Sequence, residues 1–151
     1  MFRLSKMTDY AVIVLALMSK EHGAIFTAPD ISVKTSLPQP AVAKLLKALA
    51  RAQVIQSKRG AQGGYILERR PHNITIAEVI VAMDGPVSLT ACVDNSEDQC
   101  HAASLCPMSG RWQVLNNAVE QAIISVSLAQ IITPFYDQTE ILTKQNLEET
   151  L

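Results

Sequence analysis

Val42, Leu45, Leu46 and Leu49 recur at i, i+3, i+4 and i+7, the spacing that lines one side of an α-helix with apolar groups. Lys44, Lys47 and Arg51 fall mostly off that stripe, toward solvent or a ligand. Upstream, Met7 to Ser19 predicts a helix that is apolar nearly all the way round, and such a helix is buried on more than one side. Its first turn carries Asp9, where the helix dipole favours negative charge, and Lys20-Glu21-His22-Gly23 ends it. Between these two helices, Thr27-Ala28-Pro29-Asp30 reads as a helix start, with Thr27 as N-cap and Asp30 three residues on. Pro29 is tolerated there because first-turn amides have no partner within a helix. This short helix runs to about Thr35, and Ser36-Leu37-Pro38-Gln39-Pro40 turns into the third. Two short helices with a tight turn, the second basic on its free face, are what a helix-turn-helix requires.

The period then changes. Val54 to Lys58 and Tyr65 to Arg69 are short β-prone runs on either side of Arg59-Gly60-Ala61-Gln62-Gly63-Gly64, the pattern of a hairpin. A hairpin placed directly after a helix-turn-helix, with Lys58 and Arg59 at its tip, is a wing. A phosphate-binding loop is excluded, because such loops run from strand to helix and end in a Gly-Lys-Ser/Thr pattern absent here. Thr75 to Asp84 predicts another amphipathic helix, with Ile76, Val79, Ile80 and Met83 on one face and Gly85-Pro86 as its stop. From Val87 to Gly110 no period is sustained, and a stretch that long without structure is usually functional. From Arg111 a long helix is expected, in which Trp112, Leu115, Val119, Ala122 and Val126 step by 3, 4, 3 and 4. That is a seam suited to a second helix.

Charge sharpens the picture. The chain of 151 residues has a formal net charge of −1. Residues 1–70 nevertheless hold eleven Lys or Arg against four acids, and residues 71–151 hold two against ten. A basic half beside an acidic half suggests that the first half meets a polyanion. The longest apolar run, Ala11 to Met18, is too short to span a bilayer and lacks the features of a secretory signal, so a cytoplasmic protein is expected.

All three cysteines, Cys92, Cys100 and Cys106, lie in the aperiodic loop. An odd number does not suit an all-paired disulfide framework. Structural zinc sites carry paired ligands two to four residues apart, and no such knuckle occurs here. The wider spacing suits a loop wrapped around an iron–sulfur cluster. A thiol redox switch and buried packing remain as alternatives, the latter weakened by the polar Asp94 to Gln99 stretch. His101, Asp9 and His72 are candidates for a further ligand. An enzyme with a nucleophilic cysteine is not expected, since Cys100 and His101 are adjacent and adjacent side chains rarely form a catalytic dyad.

The opening "LSKMTDYAV", the wing "KRGAQGGYIL", "TIAEVIVAMDGP" and three cysteines before a helix ending in "SLAQII" resemble the Rrf-two-type family of winged-helix regulators. That family includes IscR-like and NsrR-like proteins, and the similarity is greatest to the branch regulating the SUF iron–sulfur assembly operon. The resemblance covers about residues 1 to 132. It implies a homodimer, a palindromic double-stranded DNA operator and a 2Fe–2S or 4Fe–4S cluster held by Cys92, Cys100 and Cys106. In nitric-oxide-sensing members an aspartate of the partner's first helix completes the ligands, and Asp9 occupies that position. IscR-like members use a histidine three residues after the last cysteine, where this chain has Ser109. For DNA, the resemblance assigns Arg59 to the minor groove, where a narrow A·T-rich segment attracts a cation. Gln39, Pro40, Ala43 and Lys44 occupy the recognition-helix positions and differ from those of IscR. Lys44, Lys47, Arg51 and Lys58 are expected at phosphates, with Gly60 letting the wing backbone approach.

The expected architecture is therefore mainly α with a small β-hairpin wing. It comprises a winged helix-turn-helix over 1–84, a cysteine loop over 85–110, a dimerisation helix over 111–134 and a polar tail over 135–151. The expected function is a transcription regulator, acting as a repressor of iron–sulfur assembly genes under cluster control. A nitric-oxide or redox sensor of the same family, or a metal-free thiol switch, is the alternative.

Overall fold

A computed structural model of the chain describes residues 3–93, 100 and 105–133; the tail beyond 133, His101 and the acidic stretch 94–99 lie outside these. Helix α1 (Lys6–Lys20) buries Ala11, Val14, Leu15 and Met18 completely, as its nearly all-round apolar pattern requires. Ser5 caps it by accepting a hydrogen bond from Thr8 N at 3.2 Å. Helix α2 (Ala28–Thr35) starts at the expected capping box, in which Thr27 N donates to Asp30 Oδ2 at 2.9 Å and Asp30 N to Thr27 Oγ1 at 3.4 Å. Ser36 ends α2 in the left-handed region at φ 59°, and the chain turns into α3 (Gln39–Arg51). The α3 stripe of Val42, Leu45, Leu46 and Leu49 is wholly buried against α1 and α2. Each such side chain contributes about 1.5–3 kcal/mol relative to exposure.

The hairpin forms from β2 (Gln56–Lys58) and β3 (Gly64–Ile66). A third strand, β1 (Ile25–Phe26), joins them in the antiparallel order β1-β3-β2, with Phe26 opposite Tyr65 and Ser57 opposite Tyr65 on the other side. Two residues are too few to show alternation, so β1 is defined only by its pairing. A 3₁₀ turn (Pro71–Asn73) leads to α4 (Ile76–Asp84), which a second capping box between Thr75 and Glu78 opens.

The C-terminal helix departs from the single rod that its seam predicts. Helix α5 (Gln113–Ile124) ends at Ser125, and residues 128–133 form a separate helical segment. Backbone hydrogen bonds from Ile76 N to Val126 O (2.8 Å) and from Leu128 N to Ile74 O (2.7 Å) pull the chain flat against the entry to α4. Ser127 then restarts the helix: its Oγ accepts from Gln130 N at 3.4 Å, while Gln130 Oε1 accepts from Ser127 N at 2.8 Å. The break lets Leu128 and Ile132 enter the same core as α1, which a straight continuation of α5 forgoes.

Candidate nucleic-acid interface and cysteine loop

The buried stripe of α3 dictates the rest of its surface. With Val42, Leu45, Leu46 and Leu49 inward, Gln39, Pro40, Lys44, Lys47 and Arg51 are left exposed, and among the described residues Lys44, Lys47 and Arg51 make no ion pair. No side chain caps the α3 N-terminus. Its free amides and dipole add positive potential where Gln39 and Pro40 stand. Arg59 and Gly60 are likewise exposed, at the wing tip. Gly60 adopts φ 117°, which favours glycine, and its carbonyl accepts from Gly63 N at 3.0 Å to close the turn. A Cβ on Gly63 runs into the backbone oxygen of Lys58, and one on Gly64 comes within 2.5 Å of Phe26 O. The wing is thus tight because two successive positions have no room for a side chain.

Lys58 is not free. Its Nζ lies 3.3 Å from Glu68 Oε1, and Glu68 Oε2 accepts from Gln56 Nε2 at 2.6 Å. Sequence reasoning missed Glu68 because the contact is made by the side chains after the chain has turned back: the strand register sets Lys58 opposite Gly64, and Glu68 follows β3.

The cysteine loop leaves α4 between two clamps. Asp84 Oδ2 accepts from Thr8 Oγ1 at 2.7 Å and from Ser5 N at 3.2 Å, tying the end of α4 to the start of α1. Burial alone raises the Asp84 carboxyl, but the hydrogen bonds from Ser5 and Thr8 prevail and hold it below the ordinary carboxylate value. On the other side, Asn116 of α5 is fully buried and bonded to Val87 O and Leu89 N. Neither clamp is visible as a sequence motif, since their partners are 76–79 and 27–29 residues apart.

Cys92, Cys100 and Cys106 are all free, partly buried thiols. The Cys92 sulfur lies 3.2 Å from Thr90 Oγ1. Asp9 is exposed on α1, beside Val12, Ile13 and Ile131 in a shallow apolar groove. Within one chain, no three His, Cys, Asp or Glu side chains among the described residues are gathered to hold a metal ion. The donor set nonetheless suits iron–sulfur chemistry, for which thiols are the common ligands. Trp112 at the α5 N-cap and Val114, Leu115 and Ile124 of α5 present apolar surface to solvent.

Two helices and a tight turn, with a basic second helix flanked by a hairpin, define a winged helix-turn-helix protein. Residues 4–134 match the Rrf2 family model, iron-dependent transcriptional regulator, and the chain belongs to that family. It is 30% identical over 133 residues to the HTH-type transcriptional regulator IscR of Photorhabdus laumondii, covering 86% of this chain and 79% of that one. It is 31% identical to IscR of Xenorhabdus nematophila over the same shares. Among solved structures, CymR, the global cysteine regulator of B. subtilis, superposes with a TM-score of 0.63 at 25% identity, covering 88% of this chain and 98% of that one. IscR of T. potens does so at 0.58 and 24% identity, covering 88% of each. As a transcriptional regulator the protein binds DNA. No helix among the described residues is long and apolar enough to cross a membrane.

Proposed function

We propose that the chain is a cytoplasmic homodimeric repressor of iron–sulfur assembly genes, controlled by a cluster on Cys92, Cys100, Cys106 and the partner subunit's Asp9. The observation that carries this reading is the presence of three free, partly buried thiols in a segment tied to both the DNA-binding domain and α5. The relatives named IscR support it. A bound cluster supplies a labile, redox-sensitive link between the loop and α1. The chain's own residues do the rest. The exposed apolar side chains of α5 pair with their copies in the dimer, and Asp84 and Asn116 carry the position of the loop to α1 and α5. The two α3 helices then enter successive major grooves of a palindrome about 34 Å apart. Arg59 occupies the minor groove, Gln39 and Pro40 face the bases, and Lys44, Lys47, Arg51 and Lys58 hold phosphates. A coupling of about 1–3 kcal/mol between loop and α3 changes operator affinity some 5- to 150-fold.

Anaerobic reconstitution with iron and sulfide tests this reading. Visible absorbance is expected in the wild type and not in Cys100→Ala. Equal iron and sulfide in both proteins overturns the ligand assignment.

The three free thiols and the likeness to CymR, a global cysteine regulator, support a second reading, a metal-free switch in which two of the thiols surrender two electrons and two protons to a peroxide and form a disulfide. Mass spectrometry of the peroxide-treated apo-protein decides it, since unchanged thiols eliminate this mode of control.

A further inference from the structure

Asn116 stands apart from the rest of α5. It is completely buried, whereas Val114 before it is 79% and Leu115 48% exposed. Its Nδ2 donates to Val87 O at 3.0 Å and its Oδ1 accepts from Leu89 N at 2.9 Å. Both bonds go to the backbone on either side of Ser88, so the amide side chain serves that extended segment as a neighbouring strand would. An amide has one donor side and one acceptor side, and both are used.

The position of Asn116 makes this contact consequential. It lies in the first turn of α5, where its own N–H bonds to Trp112 O. The chain reaches that turn from Cys106 through successive short-range bonds, Ser109 N to Cys106 O, Arg111 N to Met108 O and Gln113 N to Gly110 O. Cys106 is therefore referred to the start of α5 along the chain. Cys92 stands three residues beyond Leu89, so it is referred to the same turn through the Asn116 side chain. The two ends of the loop meet at one residue.

We infer that Asn116 is a positioning residue that closes the base of the cysteine loop and so keeps Cys92 and Cys106 within reach of each other. It touches neither sulfur; its effect is to raise the effective concentration of one thiol at the other, which a closed base does and an open one does not. The significance of that closure for regulation rests on the reading of the loop as the sensor.

The test uses the full-length, reduced, metal-free protein in a Cys100→Ser background, so that Cys92 and Cys106 are its two thiols. A short bifunctional maleimide reports intramolecular crosslinking, and N-ethylmaleimide reports the reactivity of each thiol alone. Asn116→Leu removes both bonds and is expected to slow the crosslinking step about tenfold with single-thiol rates unchanged. Asn116→Asp keeps the acceptor for Leu89 N and loses the donor to Val87 O, and is expected to fall between. Should Asn116→Leu fail to fold by circular dichroism, the aspartate variant decides alone. Wild-type crosslinking rates in the folded variants overturn the inference. Slowed crosslinking in Asn116→Leu, together with a DNA affinity that iron and sulfide loading leaves unchanged in the protein with Cys100 intact, leaves Asn116 in this role and removes the sensor reading instead.

Discussion

Glu68 Oε1 lies 3.3 Å from Lys58 Nζ, so the cation next to the wing turn already has a partner before DNA arrives. Both side chains are more than 40% exposed, and a pair of that kind contributes about 0–1 kcal/mol. Glu68→Gln is therefore expected to raise DNA affinity by a few fold at low salt, about 2- to 5-fold. The gain disappears in the Lys58→Ala, Glu68→Gln double variant. Fluorescence anisotropy across a salt series measures this, and an equal gain in both backgrounds shows that Lys58 does not meet a phosphate.

Arg59 and Lys44 separate specificity from attraction. Arg59→Ala is expected to weaken operator binding by about 1–3 kcal/mol and to relax preference for A·T pairs under the wing. Lys44→Ala is expected to lower affinity uniformly across sequences and to reduce the salt slope by about one. Competition with scrambled operators distinguishes the two, and a variant of Arg59 that binds as tightly as wild type at fixed salt removes the wing from the minor groove.

Gly64 has a backbone oxygen where a Cβ would stand, 2.5 Å away at Phe26. Gly64→Ala forces β1 and β3 apart and is expected to cost about 1–3 kcal/mol, the range for overfilled sites. Urea denaturation reads the loss. An unchanged midpoint would mean that β1 moves aside freely.

Asp84 makes stability depend on acidity. Its folded-state carboxyl titrates below its unfolded value because Ser5 and Thr8 donate hydrogen bonds to it against the opposing effect of burial. A depressed carboxylate stabilises the fold above its unfolded value of 3.8, and that contribution is lost as pH falls from there through the lower folded value. Asp84→Asn is expected to lower stability at neutral pH and to flatten the acid limb. Thermal melts from neutral pH to pH 3 check the slope, and parallel curves for the two proteins refute this role.

What the chain order alone determined is local. Thr27 with Asp30, the α3 stripe, the glycines between Lys58 and Tyr65, and the stop at Gly85-Pro86 each act over a turn or two, so periodicity and capping chemistry locate them. The placement of Gln39, Pro40, Lys44 and Lys47 on the free face follows directly from which residues of α3 are apolar. Spacing also confined the three cysteines to one loop. Contacts over long chain separations escaped such reading. The heptad seam from Trp112 to Val126 predicts an unbroken helix, because periodicity is blind to the backbone at Ile74 that takes Leu128 N as its donor. Likewise, nothing adjacent to Asn116 announces that it holds Val87 and Leu89, and nothing near Lys58 announces Glu68. Those pairings exist only after folding has brought distant backbone and charge together, since hydrogen bonds and ion pairs require contact within a few Å.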